Sequence, residues 1–376
     1  MTLDVWHVHA GNLFGGVETI LVNLAKTAAA TPGVRWRFAL CFEGRLADEL
    51  RAAGADVRVL GATRIRYPWT VLRARRRLRR LLAAPGAAAA VCHSAWSQAI
   101  FGPVLAAART PTACWLHGPS SGPHWLERWA QRSPADVLLC DSRYVAGSVG
   151  RIHPGASSEV LHPPVAIGPA PSPASRDALR AALGAGPGTL VILQMSRMEE
   201  WKGQAVLLEA LGLLAERSDW VCWLAGGAQR AAEEAYERSL RRQVSALRLD
   251  ARVKFLGQRS DVDALMDAAD VFCQPNSAPE PFGIVFVHAL ARGVPVVGCA
   301  TGGTPEIVDA ECGRLVKPGN ASALASTLGA LMDDAPLRRR LGANGPERAR
   351  ELCDPQIQAR KLAGILQGMA SRGMSA

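Results

Sequence analysis

The chain has 376 residues, of which 49% are hydrophobic and 20% charged, with a formal net charge of +10. This length and apolar content suit two globular domains with sizeable cores. The start of the chain shows no basic segment followed by an apolar run, and no uncharged apolar stretch of about 18 residues occurs, so neither a signal peptide nor a membrane-spanning helix is expected.

Nine cysteines are scattered along the chain, and no two have the CxxC spacing. This usage favours buried thiols in a reducing cytoplasm and disfavours a zinc site. A cytoplasmic location is therefore expected.

The first 165 residues alternate between strand and helix patterns, which predicts a parallel sheet covered by helices. Strands are predicted at 4–10, 36–41, 56–60, 87–93, 111–116 and 135–140. A glycine loop at 11–16 joins the first strand to a helix, and such a loop suits a phosphate or simply a tight turn. The dinucleotide fingerprint GxGxxG is absent, so a dehydrogenase is not indicated.

Several histidines lie on or directly after predicted strands, among them His7, His9 and His117. His7 and His9 alternate with apolar residues on the first strand. That spacing allows a metal site, but packing in a core or cleft is the simpler interpretation. His117 follows the fifth strand, at the edge of a parallel sheet where ligands bind, and is predicted to be functional.

The positive charge is concentrated in residues 57–126, which contain ten arginines and no acidic residue. Within this segment, 70–82 is predicted to be an amphipathic helix with Val71, Ala74, Leu78 and Leu81 on one face and arginines opposite. Such a helix suits an anionic membrane surface or an ordinary solvated face. Nucleic acid is not expected as a partner, because no aromatic residues interleave the arginines.

The second half repeats the alternation of strands and helices. Residues 166–188, rich in Pro, Ala and Gly, are predicted to link a domain at 1–165 to a second domain at 189–354. Strands are predicted at 190–194, 220–225, 253–256, 271–274 and 294–298. Helices are predicted at 321–333, 336–341, 345–352 and 355–370, and the segment 355–376 is expected to pack back on the first domain.

Two places in this half have residues that suit an anionic ligand. Arg197 and Lys202 lie between a strand and a helix. Two cations at such a place suit a diphosphate. The alternative is that both are ordinary exposed basic residues. Glu280 precedes a helix predicted at 284–291, with His288 one turn into it. A carboxylate there can accept sugar hydroxyls. Alternatively, Glu280 only caps the helix and His288 packs in the core.

Together these motifs resemble the retaining glycosyltransferases of the GT-B class, family four. The matching segments keep the family's order and spacing over nearly the whole chain: GGVETILVNLA (15–25), HG (117–118), SRMEEWKGQAVLLEAL (196–211), PEPFGIVFVHALARGVPVV (279–297) and TGGTPEIV (301–308). The resemblance implies an α/β fold of two Rossmann-like, doubly wound parallel-sheet domains that face a central cleft.

The resemblance also implies a metal-independent enzyme that moves a sugar, with retention, from a nucleotide-diphosphate donor to a glycan or lipid-linked acceptor in surface polysaccharide or glycolipid synthesis. The first domain would hold the acceptor and the second the donor. Arg197 and Lys202 would clamp the diphosphate, Glu280 would bind the donor sugar, and His117 would contact that sugar near its reacting carbon. No cofactor is implied, because the nucleotide-sugar is a substrate.

The resemblance also gives roles to several glycines, and an active transferase would give one to the basic helix. The N–H groups of Gly283 and Ile284 would help to hold the sugar, and Gly15 and Gly16 would let the backbone approach the diphosphate and acceptor. The helix at 70–82 would place the enzyme on the inner face of the cytoplasmic membrane. One position departs from the family, because His288 replaces the second Glu of an E-x7-E motif that normally holds the nucleotide ribose.

The departure at His288 leaves other classes of function open. A catalytically impaired GT-B scaffold or regulatory subunit would keep the fold without the activity. A sugar-nucleotide epimerase of similar fold would cleave the donor, but family four fits the motif spacing better. The active transferase is favoured because Arg197, Lys202, Glu280 and His117 are all present.

Overall fold

The computed structural model describes residues 2–83, 87–151, 153, 155–168 and 172–375. The chain divides into two compact units. The amino-terminal unit runs to Ala166 and includes the chain from Cys353 onward, and the carboxy-terminal unit is Ile167–Leu352.

The amino-terminal unit is built on a seven-stranded parallel sheet. Its strands are β1 Leu3–His9, β2 Val34–Leu40, β3 Asp56–Val59, β4 Ala87–His93, β5 Thr112–Leu116, β6 Val137–Cys140 and β7 Ser158–Val160. Its helices before the boundary are α1 Gly16–Lys26, α2 Arg45–Ala52, α3 Pro68–Leu82, α4 Ser94–Ala107, α5 Trp125–Ala130 and α6 Arg143–Ala146. The strand order is β3-β2-β1-β4-β5-β6-β7, so the direction of winding reverses between β1 and β4.

The carboxy-terminal unit is built on a six-stranded parallel sheet. Its strands are β8 Leu190–Met195, β9 Trp220–Ala225, β10 Val253–Gly257, β11 Val271–Gln274, β12 Val296–Cys299 and β13 Gly313–Val316. Its helices are α7 Pro173–Ala182, α8 Gln204–Gly212, α9 Ala231–Ala246, α10 Val262–Ala268, α11 Ile284–Ala291, α12 Thr304–Ile307, α13 Ala321–Asp333 and α14 Ala335–Cys353. The strand order is β10-β9-β8-β11-β12-β13, and the winding reverses between β8 and β11.

The central strands are apolar along nearly their whole length, because helices cover both faces of each sheet. In the amino-terminal unit, Trp6 and Val8 pack with Phe101 and Leu105. In the carboxy-terminal unit, the core joins the central strands to α8, α9 and α13. The prediction of two Rossmann-like parallel-sheet domains is confirmed.

The last helix, α15 Pro355–Ser375, packs against β4 and α1 and so belongs to the amino-terminal unit. The stretch expected to be a linker, 166–188, contains α7, which packs on α10 and is part of the carboxy-terminal unit. Residues 169–171 of that stretch lie outside the described residues. So do residues 1, 84–86, 152 and 154 of the predicted first domain and residue 376 of the predicted last segment.

One helix prediction is wrong. Residues 336–341 and 345–352 form a single helix, α14, with Pro346 inside it. In the sequence, Gly342 and Gly345 look like a break between two helices. In the structure they lie inside one helix and allow its close packing. An added Cβ would lie 2.2 Å from the Gly293 carbonyl oxygen at Gly342, and 2.5 Å from the Leu290 carbonyl oxygen at Gly345. The helix therefore needs glycine to approach the end of α11.

All nine cysteines are buried and none is in a disulfide. Burial raises the pKa of the Cys41 thiol to about 11, which keeps it protonated. Among the described residues, no helix is both long enough and apolar enough to span a membrane.

Candidate active site

In open α/β sheets, ligands bind beyond the carboxyl ends of the strands, where the winding reverses. In the carboxy-terminal unit this place lies between β8 and β11. Arg197 and Lys202 follow β8 in the chain, and Asn276 and Glu280 follow β11. The fold therefore brings the predicted cations and the predicted carboxylate to one edge of one sheet.

Lys202 and Glu280 are in direct contact. The Lys202 ammonium lies 2.7 Å from Glu280 Oε2, and the Asn276 amide donates to the same oxygen at 2.7 Å. Glu280 is 7% exposed, and the Lys202 nitrogen also lies 3.8 Å from the centre of the Trp201 ring. The carboxylate therefore has its charge balanced by Lys202 and its orientation set by Asn276.

The alternative reading of Glu280 as a helix cap is not what the structure shows. Helix α11 begins after Gly283, which has a φ of 105°, and no side chain caps the helix start. The first N–H groups of a helix, here those of Ile284 and its neighbours, have no intrahelical acceptor and suit an anion. Glu280 instead faces Lys202.

Arg197 is held by two carboxylates. Its guanidinium lies 2.7 Å from Glu199 and 3.2 Å from Glu233, while 34% of the side chain stays exposed. Glu233 is 4% exposed and also accepts the Gln229 N–H at 2.7 Å. These contacts fix the guanidinium without burying it, so one side can still meet an anionic ligand.

Two glycines allow backbone segments to approach at this edge. Gly203 has a φ of 75°, and an added Cβ would lie 1.9 Å from the Pro275 carbonyl oxygen. Gly302 has a φ of 64°, pairs with Glu280 as an isolated bridge, and would place a Cβ 2.2 Å from the Glu280 carbonyl oxygen. Only glycine fits either position. The loops that carry Lys202 and Glu280 depend on these contacts.

His288 lies beside a second carboxylate. Its Nδ1 is 3.7 Å from Asp263 Oδ1, too long for a hydrogen bond, and has no hydrogen-bond partner among the described residues. The contact with His288 lowers the pKa of the Asp263 carboxyl, and burial only partly opposes this. A cavity of about 410 Å³ is lined by residues 260–264 with His288 and Arg292.

Three buried amide side chains near this edge were not identified from the sequence. Gln194 lies near the end of β8, Gln274 is the last residue of β11, and Asn276 lies just after that strand. Each of the three is at most 1% exposed. Within the described residues, Gln274 has no partner for either amide atom, and Gln194 Oε1 and Asn276 Oδ1 also lack one. Uncompensated buried polar atoms are costly, so this edge is built to receive polar groups. In the sequence, the signal that could have identified them is a polar residue at or near the end of an otherwise apolar strand.

In the amino-terminal unit, His117 follows β5 and both of its ring nitrogens have partners. Nδ1 lies 2.9 Å from Asp141 Oδ2, and Nε2 lies 3.0 Å from His93 Nδ1. His93 Nε2 in turn lies 2.9 Å from His7 Nδ1, and the Trp115 N–H donates to Asp141 Oδ1 at 2.6 Å. The sequence indicated His117 but not His93 or Asp141, which come from neighbouring strands of the sheet.

The glycine loop after β1 has a hydrogen bond of its own. The Gly15 N–H donates to Glu18 Oε2 at 2.8 Å, and Gly16 begins α1. Glu18 Oε1 lies 2.8 Å from His9 Nε2. Burial opposes ionisation of Glu18, but its hydrogen bonds outweigh burial and lower its pKa. His7 and His9 are both buried, at 0% and 6% exposure, as expected. Among the described residues, no three or more His, Cys, Asp or Glu side chains are arranged so that they could hold a metal ion.

The sequence and the fold were compared with those of known proteins. Residues 175–348 match the family described as glycosyl transferases group 1. A phosphatidyl-myo-inositol mannosyltransferase of Mycobacterium leprae is 38% identical over 186 residues, covering 48% of this chain and 47% of that protein. A GDP-mannose-dependent monoacylated alpha-(1-6)-phosphatidylinositol monomannoside mannosyltransferase of Corynebacterium glutamicum is 33% identical, covering 52% of each.

Structural similarity extends further along the chain. The crystal structure of Anabaena HepE in complex with UDP-glucose superposes with a TM-score of 0.85 at 24% identity, covering 97% of this chain and 100% of that one. The matches to the two mannosyltransferases span about half the length of those relatives. The fold is that of the GT-B class, and residues 175–348, somewhat less than half of the chain, match the family of glycosyl transferases group 1.

Proposed function

We propose that this protein is a retaining, metal-independent glycosyltransferase, which moves a sugar from a nucleotide-diphosphate donor to a glycan or lipid-linked acceptor in glycolipid or surface polysaccharide synthesis. The carboxy-terminal unit holds the donor and the amino-terminal unit holds the acceptor. The family of residues 175–348 and the sugar-transferring relatives support this proposal.

The observation that carries the proposal is the Lys202–Glu280 pair, with Arg197 after the same strand. A diphosphate placed at this edge meets Lys202 and the open side of Arg197. Glu280, held by Lys202 and Asn276, keeps an oxygen for sugar hydroxyls. A nucleotide-sugar requires cations for its diphosphate and a hydrogen-bond acceptor for its sugar. In the proposed site, Lys202 and Arg197 supply the first and Glu280 supplies the second.

The proposed reaction needs no nucleophile from the protein. The bond between the anomeric carbon and the donor phosphate breaks while the acceptor oxygen bonds to that carbon from the same face. The acceptor proton passes to the leaving phosphate. Negative charge grows on the diphosphate, and Arg197 and Lys202 stabilise it where it develops. That is the role a metal ion plays in other transferases.

The ribose of the donor is expected to lie near His288. Asp263 sits beside this histidine, and its lowered pKa keeps it ionised. We propose that Asp263 supplies the anionic acceptor for ribose hydroxyls that His288 cannot offer.

Nucleotide binding is the direct test. Thermal unfolding of the full chain is measured with UDP, GDP, ADP, UDP-glucose and GDP-mannose, without metal and then with EDTA. A ligand at 100 times its Kd stabilises the native state by about 2.7 kcal/mol. We expect one base to raise the melting temperature as diphosphate and as sugar form, with EDTA making no difference. No shift with any nucleotide would favour a catalytically impaired scaffold, and a shift abolished by EDTA would contradict metal independence.

The ribose assignment has its own variant. Asp263→Asn is expected to weaken binding of the preferred diphosphate about tenfold or more, since a hydrogen bond to a charged group contributes about 1.5–3 kcal/mol. Asp177→Asn, at an exposed carboxylate of α7, is the matched control and should leave the Kd unchanged. Equal affinities in all three proteins would remove Asp263 from the site.

We further propose that α3 binds an anionic membrane surface, where lipid-linked acceptors reside. Its buried face holds Val71, Ala74 and Leu78, and Leu81, which was predicted on the same face, is partly buried. Arg75 and Arg77 donate to the carbonyl oxygens of Ile100 and Leu60, so part of its charge serves the fold. The solvent side combines further arginines with Trp69 at 59% and Leu72 at 52% exposure. Exposed apolar side chains among cations suit a lipid interface.

Vesicle binding tests this surface. The protein is expected to bind phosphatidylglycerol-containing vesicles, and binding should fall as salt rises. Replacing three arginines of α3 with glutamine should weaken binding about 100-fold, at about 1 kcal/mol for each arginine: Arg73, Arg76 and Arg80.

The control removes the same charge from exposed positions of the carboxy-terminal unit: Arg230, Arg238 and Arg242. If both triple variants lose affinity equally, the effect is one of net charge and not of α3. Equal binding to neutral vesicles would show that 70–82 is a solvated helix.

A further inference from the structure

A chain of buried side chains runs through the amino-terminal unit from Asp141 to His7. Its successive contacts, Asp141–His117, His117–His93 and His93–His7, are 2.9, 3.0 and 2.9 Å long. His7 and His93 are 0% exposed, and the side chain of His117 is 7% exposed. The chain crosses the sheet from the end of β6 to β1 and so includes the place where the winding reverses.

The rings meet edge to edge. His93 and His117 are parallel to within 3°, yet their centres are 5.3 Å apart while the bonded nitrogens are only 3.0 Å apart. Parallel rings with these two distances must lie almost in one plane, with the two nitrogens on the line between the centres. His7 and His93 are tilted by 33° with centres 5.2 Å apart. These are in-line hydrogen bonds through the ring nitrogens, not stacking contacts.

The donor and the acceptor in each of these hydrogen bonds follow from Asp141, at one end of the series. An ionised carboxylate only accepts, so His117 Nδ1 carries a proton. A neutral His117 then has a lone pair at Nε2 and accepts from His93 Nδ1. By the same argument, His93 Nε2 accepts from His7 Nδ1. The last nitrogen, His7 Nε2, is a buried lone pair without a partner among the described residues.

Positive charge on His7 and on His93 is disfavoured. Burial lowers the pKa of His7 to about 3, and burial together with the neighbouring histidines lowers the pKa of His93 well below its usual value. Both rings are therefore neutral at neutral pH, and each carries one proton. The proton on each neutral ring must sit on the nitrogen that its neighbour requires.

We propose that Asp141, His93 and His7 act together as positioning residues that hold His117 neutral, with its proton on Nδ1 and a hydrogen-bond acceptor at Nε2. All three histidines then carry the proton on Nδ1. His117 therefore has no N–H to donate to a ligand, since Nδ1 is bound to Asp141 and Nε2 carries no proton. The role toward a ligand rests on the proposed function, but the protonation pattern does not.

The Trp115 N–H makes the proposal sharply testable. In Asp141→Asn, the amide oxygen must stay toward the Trp115 N–H, which can only donate. The amide NH₂ then faces His117 Nδ1 and forces that nitrogen to accept. His117 must move its proton to Nε2, so His93 and then His7 must do the same. One substitution of equal shape thus reverses three rings, and the last of them, His7, is three contacts away from the substituted residue.

The experiment is nitrogen NMR of the full chain with ¹⁵N-labelled histidine at neutral pH, assigned by single His→Gln variants. In the wild type, Nδ1-protonated rings are expected at positions 7, 93 and 117. His124 is an internal reference, because its Nδ1 accepts the Leu126 N–H at 3.3 Å and its proton must be on Nε2. Asp136→Asn is the control, since Asp136 accepts the Thr112 N–H and is not part of the hydrogen-bonded series from Asp141 to His7.

In Asp141→Asn, Nε2 protons are expected at all three positions, and Asp136→Asn should keep the wild-type pattern. Nε2 protons at His7 or His93 in the wild type would overturn the proposal even if the variant did not fold. Rings 7 and 93 that keep their wild-type protons in Asp141→Asn would also overturn it.

Turnover gives the second readout. Asp141→Asn should lower kcat at least about 100-fold, because a catalytic imidazole in the wrong tautomer loses its function even when its position is kept. Reversed rings with unchanged kcat would overturn the role assigned to His117 while leaving nucleotide binding, and with it the proposed function, intact. Absence of nucleotide binding in the wild type would contradict the proposed function and leave the NMR result untouched.

Discussion

Replacing Lys202 with alanine is expected to lower kcat at least about 100-fold, and Arg197→Ala should have an effect of similar size. Each variant removes a positive charge aimed at the diphosphate, where negative charge grows as the sugar leaves, and the loss of one such stabilising group costs about 10²–10³ in kcat. Steady-state kinetics with the donor identified by thermal unfolding checks this.

The Lys202 variant also leaves Glu280 without its cation. Glu280 is 7% exposed and would keep only the Asn276 amide as a partner. Because an unpaired buried charge is strongly destabilising, the melting temperature should fall as well. The double variant Lys202→Ala with Glu280→Gln removes both charges and should recover much of the stability but none of the turnover. Lys317→Ala, at an exposed lysine of the same unit, is the control. Unchanged kcat in either single variant would contradict the diphosphate assignment.

Gly203→Ala is expected to destabilise the carboxy-terminal unit by about 3 kcal/mol or more, as a sum of backbone strain and forced displacement. The residue has a φ of 75°, and its Cβ would lie 1.9 Å from the Pro275 carbonyl oxygen. Either the segment that carries Lys202 or the segment that carries Asn276 must move. Nucleotide affinity should therefore fall together with stability. Calorimetry and diphosphate titration measure the two effects.

Gly319→Ala separates the two costs. Gly319 has nearly the same φ, 72°, but an added Cβ has no atom within 4 Å. It should lose only the cost of the left-handed conformation, about 1–2 kcal/mol, and should bind nucleotide normally. If both glycine variants lose the same stability, the loop can relax around a Cβ at 203, and the close approach to Pro275 does not hold the site.

Local chemistry accounts for the elements that were predicted well. Helix α11 begins and ends where expected, at Ile284 and Ala291, because Gly283 starts it and Gly293 stops it. Strand β9 was also predicted at its observed bounds, because a buried parallel strand is a short, continuously apolar run.

Elements were missed where local signals were weak or misleading. Strand β7 has three exposed residues, and β13 begins with glycine, so neither has a clear apolar run. Helix α14 was predicted as two helices, 336–341 and 345–352, and Gly342 and Gly345 lie where these two predicted helices meet. Glycine is needed at these two positions because they contact Gly293 and Leu290, at and just after the end of α11, about fifty residues earlier in the chain.

By itself, the sequence determined the fold class, the cationic and acidic residues of the candidate donor site, and the basic face of α3. These follow from periodicity, from glycine and proline at element ends, and from charge, all of which act over a few residues. The tertiary structure alone decided that Lys202 meets Glu280, that Asp263 lies beside His288, and that His117 is tied to Asp141 and His93. Residues so far apart in the chain become neighbours only when parallel strands align, and no local pattern specifies which side chains meet at the edge of a sheet.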